Sequence, residues 1–324
     1  MRQAPRVSAT LITALAVIIT AAGCGNGSTN AGAKSDYPVK PISIAVESSP
    51  GSPVDVMARQ IGKLGQQYLG TSVVVETKSG GGSALQLQYL KSKPADGYAL
   101  GTATRSLITS FDTTLKQQYT PSDFVFVCQL ELDPYVIAVN ADSNIKSLKD
   151  LVSVAKSNPQ YSLGGFGGAS AFSLLTRQFA KQAGFTPNYV PFDGGSAAVT
   201  AALGNQVNAV VTNISNVVQQ VKANKLRVLA VTTAAPVPSL PGVPTFQALG
   251  YKDMVLSHWR GIYAKAGTPQ SVIDTLDAGF KKMLDDPGFQ QYLTDSGLQP
   301  GFLDSAAFEK EVKADLQSVA QQLK

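Results

Sequence analysis

The chain has 324 residues, 44% of them hydrophobic and 15% charged, with a formal charge of +5 and two cysteines. That hydrophobic share can build one substantial core or two smaller ones. The mild basicity comes without a Lys/Arg-rich run or an interleaved aromatic stripe, which argues against nucleic acid as a partner.

Residues 1–23 read as a lipoprotein signal peptide. Arg2 and Arg6 precede Leu11–Ala22, an apolar run too short to span a bilayer as a stable helix. It ends in Ala21-Ala22-Gly23-Cys24, which resembles a bacterial lipobox whose cysteine receives lipid after cleavage; plain secretion with cleavage near the same point is the alternative. Residues 24–36, rich in Gly, Asn, Ser and Ala, form a flexible tether by composition. The expected mature chain is extracytoplasmic, lipid-anchored at a membrane surface, and without a transmembrane helix. Once Cys24 is lipidated, Cys128 is the only thiol left, so no intramolecular disulfide forms; within Phe124–Cys128 it reads as a small core residue.

From Ile42 onward, strand-like runs alternate with helical patterns, which predicts an α/β architecture. Ile42, Ile44 and Val46 alternate as a strand does, Pro50-Gly51-Ser52-Pro53 breaks it, and Val56, Met57, Ile61, Leu64 and Tyr68 mark a helix face. A strand at Ser72–Glu76 leads to Ser79-Gly-Gly-Gly-Ser83 and a helix through Leu85, Tyr89 and Leu90. The strand Tyr98–Gly101 is followed by an expected polar loop, Thr102–Ser106, and two strands at Phe124–Cys128 and Tyr135–Val139 close the first half.

Beyond Asn144, Ser147 predicts an N-cap for a helix stopped at Asn158-Pro159. Gly164–Ser170 then opens a helix carrying Phe172, Leu175, Phe179 and Ala183, with Gly184 as its C′ residue. Tyr189–Phe192 feeds Asp193-Gly-Gly-Ser196 and a short helix; Val207–Val211 and Arg227–Val231 are strands around a helix through Val217, Val218 and Val221. The last third reads as helical, with one helix after Thr268-Pro269 and another near Ser305, and both are expected to return to the first half.

Catalytic constellations are poorly supported. His258 is the sole histidine, so there is no His cluster for a metal or second imidazole for acid–base work. The G-x-S-x-G elbow is absent, because Gly81–Leu85 and Gly194–Ala198 each lack the last glycine. Gly165–Ser170 approaches G-x-G-x-x-G, but Ser170 stands in the last position and no acid follows at ribose-binding distance. What remains is a set of small-residue loops at strand-to-helix junctions: Ser48–Asp55, Ser79–Ala84, Thr102–Ser106, Gly164–Ser170 and Asp193–Ala197. Such loops gather at strand C-termini and offer N–H and hydroxyl donors to a small carboxylate. Gly81, Thr102 and Gly167 enter the candidate site on this ground.

The order of motifs over nearly the whole mature chain resembles the extracytoplasmic receptors of tripartite tricarboxylate transporters, the Bug receptors. The motifs are Tyr37-Pro-Val-Lys-Pro-Ile42, Pro50-Gly51 with Asp55, Val73-Val-Val-Glu76, Ala95-Asp-Gly-Tyr98, Val190–Ala197, Gly242-Val-Pro-Thr245 and Trp259–Pro269. The resemblance implies a two-lobed type II periplasmic-binding-protein fold, each lobe a mostly parallel sheet flanked by helices, with lobe 1 at 37–138 and 259–324 and lobe 2 at 139–258. It implies an organic-anion receptor with no enzymatic activity, cofactor or metal, monomeric, delivering a carboxylate to membrane transporter subunits; ligand sensing for a membrane kinase, or a secreted hydrolase, are the competing readings. Ligand contacts carried over are Ser48, Ser49, Ser52 and Asp55 in the first loop, and Gly194, Gly195, Ser196 and Ala197 with Ser170 in the second lobe. Asp55 is expected to cap its helix more than to touch an anion. The first loop departs from the family, reading Glu47-Ser-Ser-Pro-Gly-Ser-Pro-Val54 with Val54 where a threonine is common. Arg105 is an added cation, expected either to pair with a ligand carboxylate, to bridge to Glu47, or to stay exposed.

Overall fold

The computed structural model describes residues 36–322 apart from 113, 114, 117 and 169. The leader, the lipidation site Cys24 and nearly all of the tether lie outside them.

In chain order the first lobe opens with β1 (Ile42–Val46), α1 (Pro53–Tyr68), β2 (Val73–Thr77), α2 (Ala84–Ser92), β3 (Ala99–Thr104) and α3 (Arg105–Asp112). A long β4 (Phe124–Asn140) leads to α4 (Leu148–Ser157), β5 (Ser162–Phe166), α5 (Ala171–Ala183), β6 (Asn188–Phe192), α6 (Gly195–Leu203), β7 (Ala209–Asn213), α7 (Ile214–Lys222) and β8 (Leu226–Val231). The chain returns through β9 (Ser257–Lys265), α8 (Gln270–Leu284), α9 (Pro287–Ser296), β10 (Gln299–Leu303) and α10 (Ser305–Gln322). Strand order is β2-β1-β3-β9-β4-β7-β5-β6, with β8 and β10 also paired to β4.

The outer blocks are parallel, as the βα alternation predicts: β1 between β2 and β3, and β5 between β6 and β7. Antiparallel pairs join them in the middle, where β9 lies between β3 and β4. The sequence suggests two strands where the structure has one 17-residue β4. Its residues Phe124–Pro134 pair with β9, and Tyr135–Asn140 pair with β7 and β8. Glu131, Asp133 and Pro134 look like a loop in isolation; register shifts and a buried partner for the acids let the strand run through them. Past that point the pleat sends Tyr135, Ile137 and Val139 to one core and Val136 and Ala138 to another.

Each sheet is thus covered by helices on both faces. In the first lobe Ile42, Ile44, Met57 and Ile61 pack with Ile273, Leu276 and Phe280 of α8, while Trp259 and Tyr263 pack with Phe308 of α10. The C-terminal helices therefore return to the first half, as their amphipathic faces require. The sequence reading misses α9 and β10; Gln299-Pro-Gly-Phe-Leu303 carries a proline and a glycine and pairs only along the β4 edge. The expected loop at Thr102–Ser106 is also absent, because β3 is buried along its full length and passes straight into α3 at Arg105.

Candidate functional site

Between the lobes lies a cleft of ≈ 690 Å³, walled by the junctions that follow β1, β2, β3, β5, β6 and β7 and floored by β9. Its position at strand C-termini is where open α/β sheets leave helix N-termini facing a ligand.

The first wall is Glu47–Val54. Gly51 turns the loop with φ +79°, a conformation costly for side chains with a Cβ. Ser52 caps α1, its hydroxyl accepting from the Asp55 amide at 3.4 Å. Asp55 itself is buried behind the loop, accepting from the Gly51 amide at 2.8 Å and from Arg59 at 2.8 and 3.1 Å. Burial alone would raise its carboxyl, but these hydrogen bonds hold it below the usual carboxylate range. Ser48, Ser49 and Ser52 line the cleft and Asp55 orders the loop from outside it.

The second wall is Asp193–Ser196 with Asn213 and Asn216. Gly194 caps α6 without any side-chain hydrogen bond, so the first-turn amides of α6 meet no capping side chain. A Cβ on Gly195 would stand 2.7 Å from the Asn216 side-chain nitrogen, so any larger residue there must displace the Asn216 side chain of α7. The neighbouring Gly167 and Ser170 also line the cleft. The Ser170 hydroxyl caps α5, accepting from the Ser173 amide at 3.3 Å and donating to the carbonyls of Phe166 and Gly167. Phe166 and Phe172 supply apolar surface.

Besides Asp55, four expected residues stand outside the lining. Gly81 is outside the lining, although Gly80, Gly82 and Ser83 on either side belong to it. Ala197 is exposed one position beyond the lining, on α6. Thr102 is fully buried one layer behind, donating to Glu47 and to the Ala45 carbonyl. Arg105 is outside the lining and does not bridge to Glu47: its guanidinium reaches Asp315 of α10 at 2.7 Å and donates to the Ser257 carbonyl at 3.3 Å. Asp315 also accepts from the Trp259 indole at 2.6 Å, so Arg105 fastens α3 to α10 behind the cleft. Its partner lies 210 positions along the chain, and nothing local announces it.

The floor holds what sequence reasoning missed. Arg260, 3% exposed, lines the cleft and donates to Glu131 at 2.7 Å and to Asp133, both fully buried. Asp133 also accepts from the Ser215 amide at 3.2 Å and from its hydroxyl at the start of α7, while Glu131 accepts from Tyr292 at 3.0 Å. Burial opposes the Arg260 charge, but Asp133 and Glu131 more than restore it and hold its pKa above the ordinary arginine value. Burial lifts the Glu131 carboxyl despite Arg260. His258 also lines the cleft, stacked on Phe172; burial first, then Arg260 and Arg105, keep its imidazole neutral well below 6.5. Among the described residues no cluster of His, Cys, Asp and Glu could hold a metal ion.

Two helix-flanked sheets, a cleft of backbone amides and hydroxyls between them, and a charged floor define a two-lobed solute-binding receptor. The chain belongs to the tripartite tricarboxylate transporter receptor family, whose model matches residues 57–322. The protein BugT of Bordetella pertussis is 30% identical over 254 residues, covering 76% of this chain and 77% of BugT. Two solved structures each superpose with a TM-score of 0.79. One, described as a periplasmic transporter, is 30% identical and covers 87% of this chain and 96% of its own. The other, R. palustris Rpa4515 with adipate, is 25% identical and covers 89% and 98%. The family is one of extracytoplasmic solute-binding receptors rather than enzymes, and no described helix is long and apolar enough to cross a membrane.

Proposed function

We propose that the cleft captures a small organic acid through its carboxylate and that the receptor, as a monomer, presents this cargo to membrane transporter subunits. The observation that carries this is the N-terminus of α6: Gly194, Gly195 and Ser196 line the cleft, with no side chain capping the helix. First-turn amides and the helix dipole favour an anion there. The adipate held by the R. palustris relative supports the same ligand class. Lipid attachment at Cys24 would tether the chain at the membrane surface, and a lipid-dependent mass shift lost in Cys24→Ser tests it. The pairing of β4 supports crossings between the lobes at Pro134–Tyr135 and near Leu256–Ser257, a few residues before positions 138 and 258.

A thermal-shift screen of the lipid-free mature protein against mono-, di- and tricarboxylates tests the ligand class. An acid at a hundredfold excess over its Kd adds about 2.7 kcal/mol to the folded state. A flat response to every carboxylate contradicts the reading.

A further inference from the structure

Glu47 sits at the end of β1 in the cleft lining, in a loop otherwise built of serine, proline and glycine. Its carboxylate is held from behind: Thr102 donates to it and the Gln86 amide reaches it at 3.4 Å. Gln86 is itself fixed, donating to the Ala45 carbonyl at 2.8 Å and to the Thr102 carbonyl at 3.0 Å, and accepting from Tyr263 at 2.7 Å. A carboxyl group is thus oriented in the cleft by a buried network, a preorganised acceptor.

The charge around it is unbalanced. Burial raises the Glu47 carboxyl on balance, against the Thr102 hydrogen bond and the Arg260 charge, and the same guanidinium already serves Glu131 and Asp133. One cation faces three carboxyls, an excess of acids over cations, and burial lifts two of them, Glu47 and Glu131. His258 supplies no compensation because it is held neutral, and the remaining charged residue of the lining, Asp193, adds to the excess. A plain dicarboxylate would bring further negative charge to this floor, and unpaired like charges in a half-dry site oppose one another strongly.

We propose that Glu47 seats a cationic nitrogen of the ligand, so that the cargo is an organic acid that also carries an amino group, with its carboxylate toward α6. This rests on the receptor reading and narrows it. An ammonium group would donate to Glu47 in a charge-assisted hydrogen bond and offset part of the negative excess, while the carboxylate keeps the helix N-terminus.

The test is calorimetric titration of the mature protein at pH 7 with matched pairs: succinate and aspartate, glutarate and glutamate, adipate and 2-aminoadipate. The amino-bearing member of at least one pair should bind roughly tenfold or more tightly than its partner. Glu47→Gln, nearly isosteric, should bring that ratio close to one by weakening the amino acid while the plain acid, relieved of a like charge, binds as well or better. Tighter binding of the plain acids by the unmodified protein overturns the inference and leaves the carboxylate receptor intact; that comparison needs no variant. Equal weakening of both members by Glu47→Gln also overturns it. Binding of no member of any pair overturns the inference, and a flat carboxylate screen beside it contradicts the receptor reading as well.

Discussion

The two sides of the cleft are built by different logic. The loop wall, Asp193–Ser196 and Ser48–Ser52, is made mostly of small residues that line the cleft. The floor is made of long charged side chains on central strands, Arg260 against Glu131 and Asp133, and their positions depend on pairing 127 to 129 residues apart. The wall is replaceable scaffolding around a helix N-terminus, whereas the floor is an obligate set in which no member stands alone. Buried ion pairs contribute modest net stability, yet removing one partner leaves an uncompensated charge, so the floor should be the more fragile region.

Breaking the floor should have the largest effect. Arg260→Met leaves Glu131 and Asp133 buried without their cation, and denaturant unfolding should show a loss of about 3–5 kcal/mol. A mild loss comparable to a surface substitution would show that the acids take up protons or water at little cost.

Next comes the cation that sequence reasoning aimed at the ligand. Arg105→Ala removes the partner of Asp315, which is itself 8% exposed on its side chain. Unfolding should become easier by about 1–3 kcal/mol, with ligand affinity unchanged. Lost affinity at unchanged melting temperature would restore Arg105 to the binding site.

A smaller, pH-dependent effect follows from His258. Its folded pKa is depressed below 6.5, so the stability this confers is present above pH 6.5 and lost as pH falls, because the unfolded chain takes a proton that the folded chain refuses. By pH 5.5 the loss should reach about 1.4 kcal/mol. Glu47 and Glu131, raised by burial, act with the opposite sign, since their contribution is lost as pH rises. Comparing the pH–stability slopes of the unmodified protein and His258→Gln isolates the histidine; identical slopes would show that His258 takes up its proton as readily in the fold as in the unfolded chain.

The same contrast governs what the sequence reveals. Strand-turn-helix junctions are local, so β1, α1, the glycine loop before α6 and the cap at Ser170 are legible from residue types and spacing alone. Eight of the expected contacts line the cleft for that reason: Ser48, Ser49, Ser52, Gly167, Ser170, Gly194, Gly195 and Ser196. Arg260, Glu131 and Asp133 are not legible, because a charged residue in a strand gains its meaning from a partner in a distant strand. Thr102 and Arg105 mislead for the converse reason: a polar stretch looks like a loop until burial turns it into the end of β3 and the start of α3. The arginine inside the otherwise apolar Trp259–Ala264 strand is the one local hint that an acid must wait nearby.

The most direct test of the cleft as the carboxylate site is titration of Gly194→Phe beside the unmodified protein, using the acid that gives the largest thermal shift. A Cβ on Gly194 meets no atom within 4 Å, its backbone is extended and the residue lines the cleft, so a bulky side chain there should obstruct the site while leaving the fold intact. The account predicts saturable binding by the unmodified protein, none by the variant, and the same melting temperature for both without ligand. Equal binding by the two proteins would place the ligand elsewhere and contradict it.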